Sequence, residues 1–115
     1  MTNQSRAADR RLATYGTLAP GRANHHQLAS LKGQWRQGSV RGELVEAGWG
    51  AALGFPGLIL DPAGPDVEVF LFESDDLLLH WDRLDSFEGK GYRRAITQVQ
   101  TAEGALEAWI YVIAR

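Results

Sequence analysis

An α+β fold, a small mixed β-sheet curled into a barrel with helices outside it, is what the pattern of this chain predicts. Three observations carry that expectation. Short strand-like runs recur between residues 11 and 113, separated by turns rich in Gly, Pro and Asp. Only two stretches, 25–31 and 74–88, place apolar residues at helical spacing. The chain then finishes as a hairpin, 92–100 with 105–113, turning through Thr101-Ala102-Glu103-Gly104. Many short strands with few helices favour a closed sheet over an alternating α/β layer structure.

Taken in order, residues 1–10 are polar and without period, and read as a disordered N-terminal leader before a domain over 11–115. A short strand at 11–15 carries Leu12 and Ala13. Asn24 can cap a helix over 25–31 with Leu28 and Leu31 facing inward, ended by Lys32-Gly33. Residues 34–46 read as a strand in which Gly38 and Gly42 mark bulges or close backbone approach. The stretch 47–57 is loop-like, with four glycines and Pro56, and a buried strand at 58–60 follows. A turn at 61–65 leads to a largely buried strand at 66–73. In 74–88 Ser74 is a helix cap, Asp75 and Asp76 suit the positive helix end, and Leu77, Trp81 and Leu84 share a face that Leu78 widens. Gly89 and Gly91 end that helix.

With 115 residues, 44% hydrophobic and 23% charged, the chain is long enough for one globular core. A net charge of −2 gives no reason to expect nucleic acid or an anionic membrane as partner. Cysteine is absent, which removes disulfides, thiol catalysis and thiolate metal sites. No apolar run approaches a membrane span or a signal-peptide core, so a cytoplasmic protein is expected. No metal is expected: His25 and His26 diverge by about 100° on a helix, and His80, Asp82 and Asp85 do not share a face well. No cofactor motif is present. Trp35, Trp49, Trp81 and Trp109 read as core or pocket wall, since no basic stripe accompanies them.

Two stretches remain that can carry chemistry. Glu88 lies one turn beyond Leu84, at the edge of a buried face, where partial desolvation would lift a carboxyl toward the range of a general base. A glutamate at a helix end beside glycine is otherwise an ordinary solvated residue. The second stretch is the turn after the first strand, where Tyr15, Gly16, Thr17 and Leu18 precede Ala19-Pro20-Gly21. Consecutive backbone N–H groups in such a turn can form an anion-binding nest, although the spacing is neither a P-loop nor a dinucleotide fingerprint. Asp85 is expected on a different helical face from Glu88, without a part in the site.

These stretches resemble one family. Tyr15-Gly16-Thr17-Leu18, with Gly21 and Asn24, resembles the "YG(S/T)L…G…N" opening of the γ-glutamylcyclotransferase-like proteins, including the AIG2-like group and small bacterial members. Leu84-Asp85, Phe87-Glu88-Gly89, Tyr92 and Arg94 resemble its "LDxxEGxxYxR" segment. Val40 to Leu44, Phe55-Pro56-Gly57-Leu58 and Trp109-Ile110-Tyr111-Val112 are similar to its "VxGxL", "YPG" and "AWxYV" stretches, in the family's order. Phe70 and Leu71 depart from it, standing where glycine and glutamate-like residues are common, and this puts a pocket wall and the substrate in question.

The resemblance implies a γ-glutamylcyclotransferase-type barrel and an enzyme that cyclises a γ-glutamyl amine or amide to 5-oxoproline, releasing a free amine. It places the catalytic general acid/base at Glu88. Substrate-binding positions are then expected at Tyr15, Gly16, Thr17, Leu18, Tyr92, Arg94 and Tyr111, with a packed core tyrosine the other reading of Tyr111. The partner is a small γ-glutamyl molecule, and the protein a monomer or small homo-oligomer. The alternative is a non-catalytic module that binds a small ligand or a partner on the same fold.

Overall fold

The computed structural model describes residues 7–16, 20–21, 25–46 and 56–114. Among them are six strands: β1 (Arg11–Thr14), β2 (Gln34–Glu46), β3 (Pro56–Leu60), β4 (Asp66–Glu73), β5 (Tyr92–Thr101) and β6 (Gly104–Ile113). Helices α1 (His26–Ala29) and α2 (Trp81–Glu88) accompany them, with 3-10 turns at Ala7–Arg10 and Asp75–Leu79. The strands pair in the order β3-β2-β4-β1-β6-β5, and β5 pairs back onto β2. That return closes β2, β4, β1, β6 and β5 into a barrel. Only β1 and β6 run parallel, so the sheet is mixed, as the sequence predicts.

Period-two alternation sorts the side chains into two cores. On β6, Ala108, Ile110 and Val112 point into the barrel, where they meet Ala13, Val40, Val67, Val69, Leu71 and Val99. Their neighbours Trp109 and Tyr111 point outward, into a second cluster with Leu12, Leu28, Phe72, Leu77, Trp81 and Leu84. The helical side of the molecule is therefore glued to the barrel's outer face by aromatic and leucine side chains. Leu71, one of the two departures from the family pattern, fills the barrel interior.

The narrow barrel closes where Gly38 faces Thr101 and Ser39 faces Gln100. A Cβ on Gly38 would stand 2.7 Å from Val99 Cγ1 and 2.8 Å from the Gln100 carbonyl oxygen, and one on Gly42 would stand 2.5 Å from the Ile59 carbonyl oxygen. Both positions thus show the close backbone approach predicted for them. β2 and β4 keep their predicted bounds. The helix expected over 25–31 is shorter, at His26–Ala29, and its proposed cap Asn24 lies outside the described residues, as do Trp49 and residues 47–55 of the predicted loop.

Two expectations need correction. The single helix predicted over 74–88 is broken at His80, whose N–H bonds back only to the Leu77 carbonyl, 2.9 Å away. The reason is that the segments on either side of His80 are anchored separately. Ser74 Oγ donates to the Lys32 carbonyl and accepts the Asp76 N–H at 3.1 Å, while Trp81 Nε1 donates to the Asp9 carbonyl at 2.8 Å. The tighter 3-10 turn buries Leu77 and leaves Leu78 and Leu79 outside, Leu79 at 86% exposure, so Leu78 does not widen the buried face. The disorder predicted through residue 10 does not hold for residues 7–10. Ala7–Arg10 forms a 3-10 turn with Ala8 fully buried, and Asp9 receives both the Trp81 and the Trp109 indole N–H. That anchor is made by a carbonyl and a carboxylate, so hydrophobic periodicity carries no trace of it. Residues 1–6 lie outside the described residues. No described helix is long and apolar enough to cross a membrane.

Candidate active site

α2 holds the central carboxylate. Trp81 and Leu84 bury one side of the helix, and Glu88, one turn past Leu84, closes it half-buried. Gly89 takes φ +82, a conformation suited to glycine, and its N–H returns to the Asp85 carbonyl at 3.1 Å. The helix therefore stops with Glu88 as its last residue. Burial pushes the Glu88 carboxyl up to about 7 from its ordinary value of 4.5. At neutral pH it is close to half protonated, the condition in which one group can both accept and return a proton.

Three tyrosines surround this carboxyl electrostatically. Burial raises the pKa of Tyr15, Tyr92 and Tyr111, and the Glu88 charge adds to the rise in each. Residues 15 and 88 are thus brought within electrostatic reach of each other. Tyr15 is held by its own hydroxyl, which donates to the Tyr111 carbonyl at 2.6 Å and accepts the Leu58 N–H at 3.2 Å. It ties the end of β1 to β6 and β3. Tyr15→Phe would leave a partly buried N–H and carbonyl without that partner, and is expected to cost about 1–3 kcal/mol, read as a lower urea midpoint at unchanged slope.

Beside Glu88 lies a polar cluster. Asp85 Oδ1 accepts Arg94 Nε at 2.8 Å and the Tyr111 hydroxyl at 2.8 Å, while Asp85 Oδ2 accepts Arg94 Nη2 at 3.1 Å. The Arg94 guanidinium also lies over two indoles, 4.4 Å from the Trp81 ring centre and 4.7 Å from that of Trp109. The indoles are themselves fixed by Asp9. Asp85, Tyr92, Arg93, Arg94, Trp109 and Tyr111 line a cleft of about 420 Å³. It shares Tyr92 and Tyr111 with the surroundings of Glu88.

Several predicted site residues therefore stand differently from their expected roles. Arg94 turns its donors on Asp85, an internal partner, and is a wall of the cleft instead of an open substrate clamp. Tyr111 is 5% exposed with its hydroxyl given to Asp85, which supports the packed reading. Asp85 is not remote from the site: it lies three residues before Glu88 on α2 and four after Trp81, on the side turned to the barrel. Its i+4 spacing from Trp81 is the signal that could have found it. Gly16 follows Tyr15 in a bend, and Thr17 and Leu18 lie outside the described residues, so the proposed nest does too. Among the described residues, no three His, Asp or Glu side chains gather as a metal ion would require.

Comparison with known proteins identifies the family and the fold. A family model described as "Gamma-glutamyl cyclotransferase, AIG2-like" matches residues 12–115. The crystal structure of YkqA from Bacillus subtilis is similar at 30% identity and a TM-score of 0.70, over 90% of this chain and 35% of that one. This chain thus spans about a third of the length of that relative. An AIG2-like protein from Mus musculus is similar at 27% identity and a TM-score of 0.72, over 91% of this chain and 77% of that one. The uncharacterized protein PH0828 from Pyrococcus horikoshii shares the fold at 22% identity and a TM-score of 0.59, over 91% of this chain and 78% of that one. A search of curated proteins found no match. With nearly its whole length matched, and with the same barrel, the chain belongs to the AIG2-like γ-glutamylcyclotransferase family.

Proposed function

We propose that this protein cyclises a γ-glutamyl amine or amide to 5-oxoproline and a free amine, with Glu88 as the general acid/base. The observation that carries the reading is the half-buried carboxyl at the end of α2, held near pKa 7 by burial beside three tyrosines. Family membership supports the same chemistry. The substrate supplies its own nucleophile, so neither a thiol nor a bound cofactor is called for.

The Glu88 carboxylate takes a proton from the substrate's α-ammonium, and the freed amine attacks the γ-carbonyl carbon, closing a five-membered ring. As the tetrahedral intermediate collapses, the bond from that carbon to the leaving nitrogen breaks. The proton taken by Glu88 passes to the leaving nitrogen, the ring nitrogen sheds one further proton as it becomes the lactam N–H, that proton ends on the released amine as its ammonium, and no water is consumed. Folding the substrate into this near-attack shape is the other large contribution required of the protein. The Tyr15-to-Leu18 turn is the proposed holder of a substrate carboxylate or carbonyl oxygen, through backbone N–H groups. Tyr92 is the proposed contact from β5.

The test is a panel of γ-glutamyl amides differing only in the leaving amine, incubated with the purified protein. Equimolar 5-oxoproline and amine are expected from at least one member. Binding of panel members with no 5-oxoproline from any would overturn the reading and favour a binding module.

A further inference from the structure

The Asp85–Arg94 pair brings a guanidinium into the neighbourhood of the proposed base, and the two charges are closed on each other. Arg94 meets Asp85 fork-on-fork, at 2.8 and 3.1 Å, and sits in the corner formed by the Trp81 and Trp109 rings, which meet at 61°. Tyr111 gives its hydroxyl proton to the same carboxylate, at 2.8 Å. Three charges converge on that hydroxyl: Asp85 and Glu88 raise its pKa and Arg94 lowers it, after the larger effect of burial. Asp85 and Glu88 stand three residues apart on α2, neighbouring positions on the helix surface, so the guanidinium and the hydroxyl bound to Asp85 lie on the side of the helix that Glu88 shares. Either, turned toward Glu88, would stabilise its ionised form and weaken it as a base.

We propose that Asp85 is a positioning residue for Glu88: by closing Arg94 into a bidentate pair and accepting the Tyr111 hydroxyl, it keeps both from the Glu88 carboxylate and leaves that carboxylate to the substrate. The groups facing Glu88 are Tyr15 from the end of β1, Tyr92 from β5 and Tyr111 from β6, with Arg94 of β5 reaching the same hydroxyl. Burial raises all three phenols above their ordinary value, so they stay neutral through the working range, and the Asp85–Arg94 pair carries the nearby charge that can be rebalanced. Lys90 and Arg93, the next cations along the chain, are exposed.

The value of this arrangement for catalysis rests on the reading of Glu88 as the base, but its test does not require turnover. The Glu88 carboxyl carbon is titrated by NMR in glutamate-labelled protein, in the parent, Asp85→Asn, Arg94→Gln and the double variant. Asp85→Asn releases the guanidinium and is expected to move the Glu88 titration to lower pH by about one pH unit or more. Arg94→Gln leaves the Asp85 charge uncompensated and is expected to move it the opposite way. In the double variant the titration should return to within about half a pH unit of the parent. In the kinetics, Asp85→Asn should shift the ascending limb of kcat/KM with the titration and lower kcat more than it raises KM.

Because the single variants shift in opposite directions, either one that folds decides the matter. An unmoved titration, or shifts of the same sign, overturns the proposal. Loss of the fold in both singles overturns it in favour of a purely structural clamp. A parent that makes no 5-oxoproline refutes the catalytic reading and leaves the titration result standing.

Discussion

Glu88→Gln is expected to lower kcat by ~10²–10⁴-fold, and by more if both proton transfers pass through this group. Glutamine keeps the size of the side chain and most of its hydrogen-bonding capacity, yet it can neither accept the α-ammonium proton nor return one. Nothing in the rest of the site takes its place. Tyr15, Tyr92 and Tyr111 all have raised pKa values and remain protonated, and Asp85 is committed to Arg94 and Tyr111. KM should change only a few-fold, since the proposed holder of the substrate is the Tyr15 turn. A fall in kcat with KM kept is the mark of an interaction made in the transition state. Steady-state kinetics on the best substrate of the panel checks it, and KM rising with kcat unchanged would reassign Glu88 to binding.

The same substitution is expected to stabilise the fold at alkaline pH by about 3 kcal/mol. The folded chain holds the Glu88 proton up to about 7, whereas an ordinary carboxyl, as in the unfolded chain, releases it near 4.5. Below pH 4.5 both states are protonated, and the carboxyl's contribution to stability is intact. Between 4.5 and 7 the unfolded chain ionises first, and stability is progressively lost. Above 7 both states are ionised, and the full cost of a half-buried charge remains. Glutamine has no such window. Urea melts of parent and variant should therefore coincide near pH 4 and separate through this interval, with the variant the more stable at pH 8. Parallel melts at all pH values would mean that Glu88 is not desolvated in the folded chain. A site residue that weakens its own fold fits the general trade between stability and function.

How much of this was legible in the sequence differs between the barrel and the site. Strands were readable where alternation and turn residues agree. β2 and β4 keep their predicted bounds, and the hairpin β5–β6 needed only its turn tightened to Ala102-Glu103. Gly38 and Gly42 gave away close approach because no other residue is so readily accepted there. The break at His80 was hidden because Leu77, Trp81 and Leu84 keep helical spacing across it. Only the separate anchors on Lys32 and Asp9 distinguish a 3-10 turn followed by a helix from one longer helix.

In the site, the position of Glu88 and its direction of titration could be argued from Leu84 and the two glycines. Its partners could not. The pairing of Asp85 with Arg94 spans nine residues and the end of a helix, and Tyr111 enters from a strand that becomes a neighbour only when the barrel closes. The double indole clamp on Asp9 joins the two ends of the chain, a contact no local pattern records. Motif residues such as Arg94 and Tyr111 are legible in the sequence, but that they share Asp85 as a partner is not.

The pH dependence of kcat/KM for 5-oxoproline release by the parent protein tests the central claim most directly. The rate should rise with pH with a midpoint at about 7, as the half-buried Glu88 carboxyl loses its proton and becomes able to accept one. A midpoint near 4.5, the ordinary value of a solvated glutamate, or a rate that stays flat from about pH 5 to 8 would contradict it.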